Sequence, residues 1–254
     1  MSPHKDADSR FPGALFKFAS AFVPIALLAG FAYAEQSPNQ QDLFEQPRDM
    51  ESLVEEVRNA SYQVFCGDYG GSGWGLKTEY GGEVVEYLVT NEHVIKGCLK
   101  KGGVIVEDRW GNALKANIIN YWHRDADWDN SSVEIDFALL EIKGRKLNTL
   151  SKLAMEHPIG SWLMTSSYPA IDWETGVYTI TTGVISAETY VSGYTTDAPI
   201  NGGSSGGVVV NSRGEVLGTI YASNDPGEYL DTGLFLDNRT LFEVIVKAQR
   251  EKSK

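Results

Sequence analysis

The chain has little of what usually carries metal or redox chemistry: two cysteines, four histidines and four methionines in 254 residues. Cys66 and Cys98 stand on either side of His93, but their spacing matches no zinc pattern and no fourth ligand accompanies them, so a zinc site built on the three is not expected. Positive charge is also scarce, with 22 Lys and Arg against 34 Asp and Glu and a net charge of −12. Attraction to phosphate needs a basic face, so nucleic acid is removed from the expected partners. Internal repeats and long low-complexity runs are absent. At 42% hydrophobic content, disorder throughout is excluded, and there is material for one large domain or two small lobes.

The one long apolar run lies at the N-terminus. Lys5, Arg10 and Lys17 precede a stretch from Phe18 to Ala32 and the small-residue site Ala32-Tyr33-Ala34, which is the layout of a secretory signal peptide over residues 1–34. Counted through Ala34 the run is about 17 residues, at the lower edge of what spans a hydrocarbon core of ~30 Å, so an uncleaved N-terminal anchor is the alternative. Either way the body is expected outside the cytoplasm, periplasmic or secreted, touching membrane only if this segment is retained. Cleavage removes three basic and two acidic residues and takes the net charge from −12 to −13. In an oxidising compartment Cys66 and Cys98 could pair; two buried thiols are the alternative.

Residues 35–48 are polar, and Pro38 and Pro47 oppose a continuous helix, so they read as a flexible tether. The body is expected over 49–254. It opens with a short amphipathic helix from Asp49 to Val57. From Tyr62 the pattern becomes short apolar or alternating runs broken by glycine, as in Val84-Val85-Glu86-Tyr87-Leu88-Val89 and Val216-Leu217-Gly218-Thr219-Ile220. Many such runs at this spacing predict an all-β sandwich or barrel. The hydrophilic piece from Lys143 to Lys152 divides them into two lobes, about 60–143 and 153–237. A helix over 239–250, capped by Asp237 or Asn238, should pack on the second lobe.

One constellation carries chemistry. Hydroxyl attack on an amide needs a base, an acid to orient that base, and donors for the oxygen that becomes negative. Ser205 is the nucleophile candidate: Gly206 and Gly207 follow it and Gly203 precedes it by two, a composition that allows a turn exposing the hydroxyl. Gly-Ser-Ser-Gly alone is ordinary linker composition, but Val208-Val209-Val210 follows at once and reads as a buried strand. Ser204 is the rival, one residue too early for the Gly-Gly step. His93 follows the strand Tyr87-Leu88-Val89 and is the candidate base, whereas His123 and His157 sit in polar surroundings. Asp136, among Ile135 and Phe137-Ala138-Leu139-Leu140, should be buried and so needs a partner, which orienting His93 would supply. The Gly203 and Ser205 backbone N–H groups would form the oxyanion hole. A calcium loop from Asp125, Asp127 and Asp129 to Asp136 fails at the sixth position, where Asn130 replaces glycine, and at its strand-like exit. No metal or organic cofactor is expected.

The order His93, Asp136, Ser205 and the text around each resemble the trypsin-like serine peptidases, specifically the HtrA/Deg-like bacterial branch. Gly71-Ser72-Gly73-Trp74, Leu88-Val89-Thr90-Asn91-Glu92-His93-Val94, Asp136-Phe137-Ala138-Leu139-Leu140 and Asp197-Ala198-Pro199-Ile200-Asn201 carry the likeness. It runs from about Met50 to Asn238. The resemblance implies two six-stranded antiparallel β-barrels with the triad in the cleft between them. It also implies a primary specificity pocket floored near Pro199 and walled by Ile220, Tyr221 and Ala222. No carboxylate stands there for Lys or Arg, so cleavage after small or medium apolar residues is expected. Two departures count: Ser204 stands where trypsin-type zymogens carry an acid, and the family's usual PDZ domain has no counterpart in the sequence. The implied function is an exported serine endopeptidase acting on polypeptides. The alternative is a catalytically weak peptide-binding protein that keeps the fold and captures peptides by strand addition.

Overall fold

The computed structural model describes residues 42–101, 103–125, 135–170, 176–189, 193–223 and 232–252. The signal segment, residues 35–41 of the tether, and Asp127 and Asp129 of the rejected calcium loop lie outside them. Helix α1 (Met50–Asn59) starts where Asp49 accepts the Ser52 backbone N–H at 2.9 Å, giving one free donor of the first turn a partner. That hydrogen bond holds the Asp49 carboxyl below its ordinary range. Leu53 and Val57, four apart on one face, are the buried residues of the helix.

The strands then form two closed barrels, as expected from the sequence. In the first, β1 (Ser61–Cys66), β2 (Tyr69–Tyr80), β3 (Glu83–Thr90), β4 (Gly103–Glu107), β5 (Ala113–Arg124) and β6 (Ile135–Glu141) close in the order β1-β2-β3-β6-β5-β4. In the second, β7 (Trp162–Ser167), β8 (Thr179–Thr189), β9 (Gly193–Thr196), β10 (Val208–Asn211), β11 (Val216–Ser223) and β12 (Gly233–Asp237) close as β10-β11-β12-β9-β8-β7. All pairings are antiparallel, and closure leaves neither sheet an open edge. A single-turn helix α2 (Glu92–Ile95) follows β3, and α3 (Asn238–Lys252) follows β12.

Strand β6 explains why some runs are continuously apolar rather than alternating. Side chains on a strand point alternately to its two faces. Here Ala138 and Leu140 fill the first barrel with Val64, Leu88 and Val106. Ile135, Phe137 and Leu139 face a second core that both barrels share, with Trp74, Met164, Val208, Val210 and Leu236. Burial on both faces demands apolar residues at every position. Strand β10 behaves likewise: Val209 faces the second barrel's own core with Phe235 and Leu217, while its neighbours face the shared one. The seam is also hydrogen-bonded. Trp74 Nε1 donates to Thr219 Oγ1 at 3.0 Å, and the Ser61 and Ser166 hydroxyls meet at 2.8 Å.

Two expectations are revised. Where described, the tether is docked: the Trp162 N–H donates to the Leu43 carbonyl at 2.7 Å and Ser212 Oγ to the Asp42 carbonyl at 2.7 Å. Polar, proline-bearing text opposes helix but does not prevent a short turn at Leu43 and Phe44 from bonding to the barrel through the Asp42 and Leu43 carbonyls. Helix α3 packs on both barrels rather than on the second alone. Its Leu241, Val244, Ile245 and Ala248 enter the shared core, and Gln249 Nε2 reaches the Tyr87 hydroxyl on β3 at 2.6 Å. Asp237 caps it, accepting the Arg239 N–H at 3.0 Å. Cys66 and Cys98 are joined in a disulfide across 32 residues, their Cα atoms 5.7 Å apart, tying the end of β1 to the turn after α2. Among the described residues no helix is long and apolar enough to cross a membrane.

Candidate active site

His93 reaches the seam because β3 ends at Thr90 and the chain turns into α2 at once. Asn91, extended at φ −85° and ψ 152°, makes the turn, and its Nδ2 donates to the Asp136 carbonyl at 2.7 Å. Asp136 itself is fully buried. Its Oδ1 accepts the His93 backbone N–H at 3.1 Å and its Oδ2 lies 2.5 Å from His93 Nδ1. Both carboxylate oxygens thus serve one residue, fixing its backbone and its ring together. A carboxylate accepts only, so in the neutral ring Nδ1 carries the proton and Nε2 keeps a basic lone pair. The His93 side chain is 40% exposed, which leaves that lone pair accessible.

On the other side of the seam, residues 201–207 form a tight loop before β10. The Ser204 N–H donates to the Asn201 carbonyl at 3.0 Å, closing a four-residue turn in which Gly203 has φ +89°. Positive φ at the third position is the type II geometry, and it turns the central peptide the opposite way from a type I turn. A Cβ at Gly203 would stand 2.8 Å from the Ala170 nitrogen and 2.9 Å from the Tyr168 carbonyl, so glycine is required twice over. At Gly206, φ +86° and a Ser72 carbonyl only 2.1 Å from the Cβ position impose the same requirement. Among the described residues the Gly203 and Ser205 backbone N–H groups donate to nothing, while those of Ser204, Gly206 and Gly207 are bonded.

The two serines have different environments. Ser204 is buried, and its Oγ accepts from Ser167 Oγ at 3.1 Å, which removes it from the seam. A neutral hydroxyl pair thus occupies the position next to Ser205. Ser205 is partly exposed, and its Oγ donates to the Tyr221 carbonyl at 3.1 Å. Among the described residues it makes no hydrogen bond to His93. Tyr221 stands edge-on to the imidazole, with 6.1 Å between ring centroids, so Ser205 and His93 both border the same residue. Rotation about one side-chain bond, a ps–ns event for an accessible serine, redirects the hydroxyl.

Sequence reasoning missed what joins these halves. Ser72 on β2 donates from Oγ to the Gly203 carbonyl at 2.8 Å and accepts the Tyr168 N–H at 2.8 Å. The Ser72 N–H donates to the Ser205 carbonyl at 2.8 Å, and the Ser72 carbonyl accepts from Thr90 Oγ1 at 2.7 Å. One first-barrel residue therefore holds the loop of the second barrel and the strand that delivers His93. The Gly71-Ser72-Gly73 text was the available signal; the role of the hydroxyl was not readable from it. Burial pushes the Tyr168 phenol up to about 12, with Tyr178 adding to the effect, and burial raises Tyr178 as well. Both stay neutral, so neither adds negative charge beside the loop.

Of the expected pocket residues, Pro199 is exposed, and its carbonyl accepts from Thr181 Oγ1 at 3.0 Å. Ile220 is fully buried in the second barrel's core, so its side chain forms no open wall. Its backbone instead pairs with the loop: Gly206 N–H to the Ile220 carbonyl at 2.9 Å and Ile220 N–H to the Gly207 carbonyl at 2.8 Å. Tyr221 falls at a bulge in the β11–β12 pairing and is partly buried against the shared core. Ala222 follows on β11, and the environment of its side chain lies outside the described residues.

Two closed antiparallel barrels, with the buried Asp136 holding a partly exposed His93 on one and a glycine-framed serine loop on the other, define the fold of a trypsin-like peptidase. The chain belongs to the trypsin-like peptidase domain family, whose model matches residues 71–218, more than half its length. The HtrA/Deg-like resemblance holds as well. A probable periplasmic serine endoprotease DegP-like of Pseudomonas fluorescens is 34% identical over 142 residues, covering 52% of this chain and 26% of the relative. The periplasmic serine endoprotease DegP of Escherichia coli is 28% identical over 173 residues, covering 61% and 33%. The solved serine endoprotease of Yersinia pestis superposes with a TM-score of 0.61 at 25% identity, covering 82% of this chain and 69% of that one. The chain thus spans about a quarter to a third of the length of the curated relatives it matches.

Proposed function

We propose that the protein is an exported serine endopeptidase. Ser205 attacks the scissile carbonyl, His93 Nε2 takes the hydroxyl proton and passes it to the leaving amine, and Asp136 fixes the imidazole and stabilises its charged form. The Gly203 and Ser205 N–H groups receive the oxyanion. The observation that carries this reading is the coincidence of a doubly bonded Asp136–His93 pair with two N–H groups, of Gly203 and Ser205, that donate to nothing among the described residues, in a loop held at Gly203 φ +89°. The disulfide supports an oxidising compartment, and with the N-terminal segment it supports export, periplasmic or secreted. Polypeptides are the substrates, cut after small or medium apolar residues, since the residues assigned to the pocket include no carboxylate. Efficient selective turnover of arginyl peptides would overturn that preference.

The Ser205 hydroxyl, resting on the Tyr221 carbonyl, favours a second reading: a weakly active peptide binder. The test is cleavage of an unfolded protein such as casein by the purified chain beside Ser205→Ala. Loss of a triad serine costs on the order of a million-fold in kcat, so activity should vanish in the variant. Cleavage by both would reject Ser205 as nucleophile. Silence from both would leave a latent enzyme or the binder, and peptide held without fluorophosphonate labelling of Ser205 would identify the binder.

A further inference from the structure

Beside Asp136 of the proposed triad lie two side chains, Glu92 and His123, that peptide hydrolysis does not use. Glu92, the first residue of α2, is 4% exposed, and its Oε2 is buried with no hydrogen-bond donor among the described residues. An ionised oxygen in that condition is costly. The atom facing it is Nδ1 of His123, at 3.8 Å, too far for a hydrogen bond. His123 stands on β5 directly across from Asp136 in the β5–β6 register. One ligating atom from each of Glu92, His123 and Asp136 falls within 4.8 Å of the others.

The His123 tautomer adds to this. Its Nε2 lies 3.1 Å from Asp125 Oδ1, which can only accept, so in the neutral ring Nε2 carries the proton and Nδ1 presents a lone pair toward Glu92. Two electron-rich atoms then face each other across a gap. A histidine that offers one nitrogen while a carboxylate holds the N–H of the other is the usual arrangement behind a metal ligand. Two ligands about 2.0–2.1 Å from a tetrahedral zinc ion lie roughly 3.4 Å apart. The observed separation needs only a few tenths of an ångström of closure, and one His with carboxylates suits a borderline divalent ion such as zinc.

We propose that Glu92 and His123 bind a divalent transition-metal ion, zinc in class, with the Asp136 carboxylate drawn toward it, and that occupancy suppresses hydrolysis. The ion and the His93 imidazole compete for the same buried negative charge. With the ion present, Asp136 stabilises the imidazolium less, so turnover falls while peptide binding at the seam is little changed. The binding half of the proposal stands by itself; the inhibitory half rests on the peptidase reading.

Binding is tested without activity by titrating zinc chloride into the chelator-treated full chain carrying Ser205→Ala, by calorimetry. One ion per chain is expected, with affinity lowered at least about tenfold when His123→Ala is added and unchanged when His157→Ala is added. Activity is tested on the chain with its serine intact: zinc should lower kcat more than it alters KM, a chelator should restore turnover, and His123→Ala should keep basal cleavage and lose zinc sensitivity. Absence of saturable binding, or binding and inhibition unaltered by His123→Ala, overturns the proposal. A chain that binds zinc through His123 yet cleaves nothing would sink the peptidase reading and leave the site standing.

Discussion

The two halves of the site are built by different means. On the first barrel, side chains do the positioning: the Asp136 carboxylate holds His93 by ring and backbone, and the Asn91 amide holds the Asp136 backbone. On the second barrel the loop is shaped by main-chain conformation, through positive φ at Gly203 and Gly206 and backbone bonds to Ile220. A half made of side chains fails when a functional group is exchanged. A half made of backbone fails when a Cβ is added or a tether is cut.

Substitutions can be ranked by the free energy each should cost, and together they test that contrast. Asp136→Asn keeps the shape of the first half but favours the wrong tautomer, and kcat should fall about ten-thousand-fold with the fold intact by circular dichroism. Cys66→Ala with Cys98→Ala opens a 32-residue link in the first barrel. Denaturant unfolding should report a loss of about 3–4 kcal/mol on the chain-entropy account. Gly203→Ala introduces only a methyl group yet should lower kcat about 100- to 1,000-fold, because the turn must abandon its geometry and with it one oxyanion donor. An unchanged kcat there would reject the main-chain account of the second half. Ser72→Ala should be mildest: loss of its hydrogen bonds to the loop lowers kcat about tenfold while KM and the pH profile set by His93 stay put. If the pH profile moved instead, Ser72 would belong to the first half.

Those differences also govern what could be read from sequence. The all-β class was legible because short apolar runs broken by glycine at this spacing suit an antiparallel sandwich or barrel, and the resemblance of the histidine, aspartate and serine motifs pointed to two barrels. The Asp136–His93 pairing was legible because a carboxylate amid Ile135, Phe137 and Leu139 must find a partner. Ser72 was hidden, since a hydroxyl's acceptor 131 residues away leaves no local trace. His123 was set aside for its polar setting, and only the β5–β6 register brings it beside Asp136. The burial of Ile220 was not legible, because the face of a strand residue depends on register and on a bulge between Ile220 and Ala222. The docking of residues 42–43 depends on an open hydrogen-bonding position beside Trp162 that no linker composition announces.

The seam has a further consequence for a chain that is made from its N-terminus and, on the export reading, threaded across a membrane. His93 and Asp136 emerge early, Ser205 late, and the grip of Ser72 on Gly203 exists only once both barrels have met. On the peptidase reading, the newborn polypeptide would be unarmed until that meeting. On that reading, the order of residues along the chain would itself act as a safeguard.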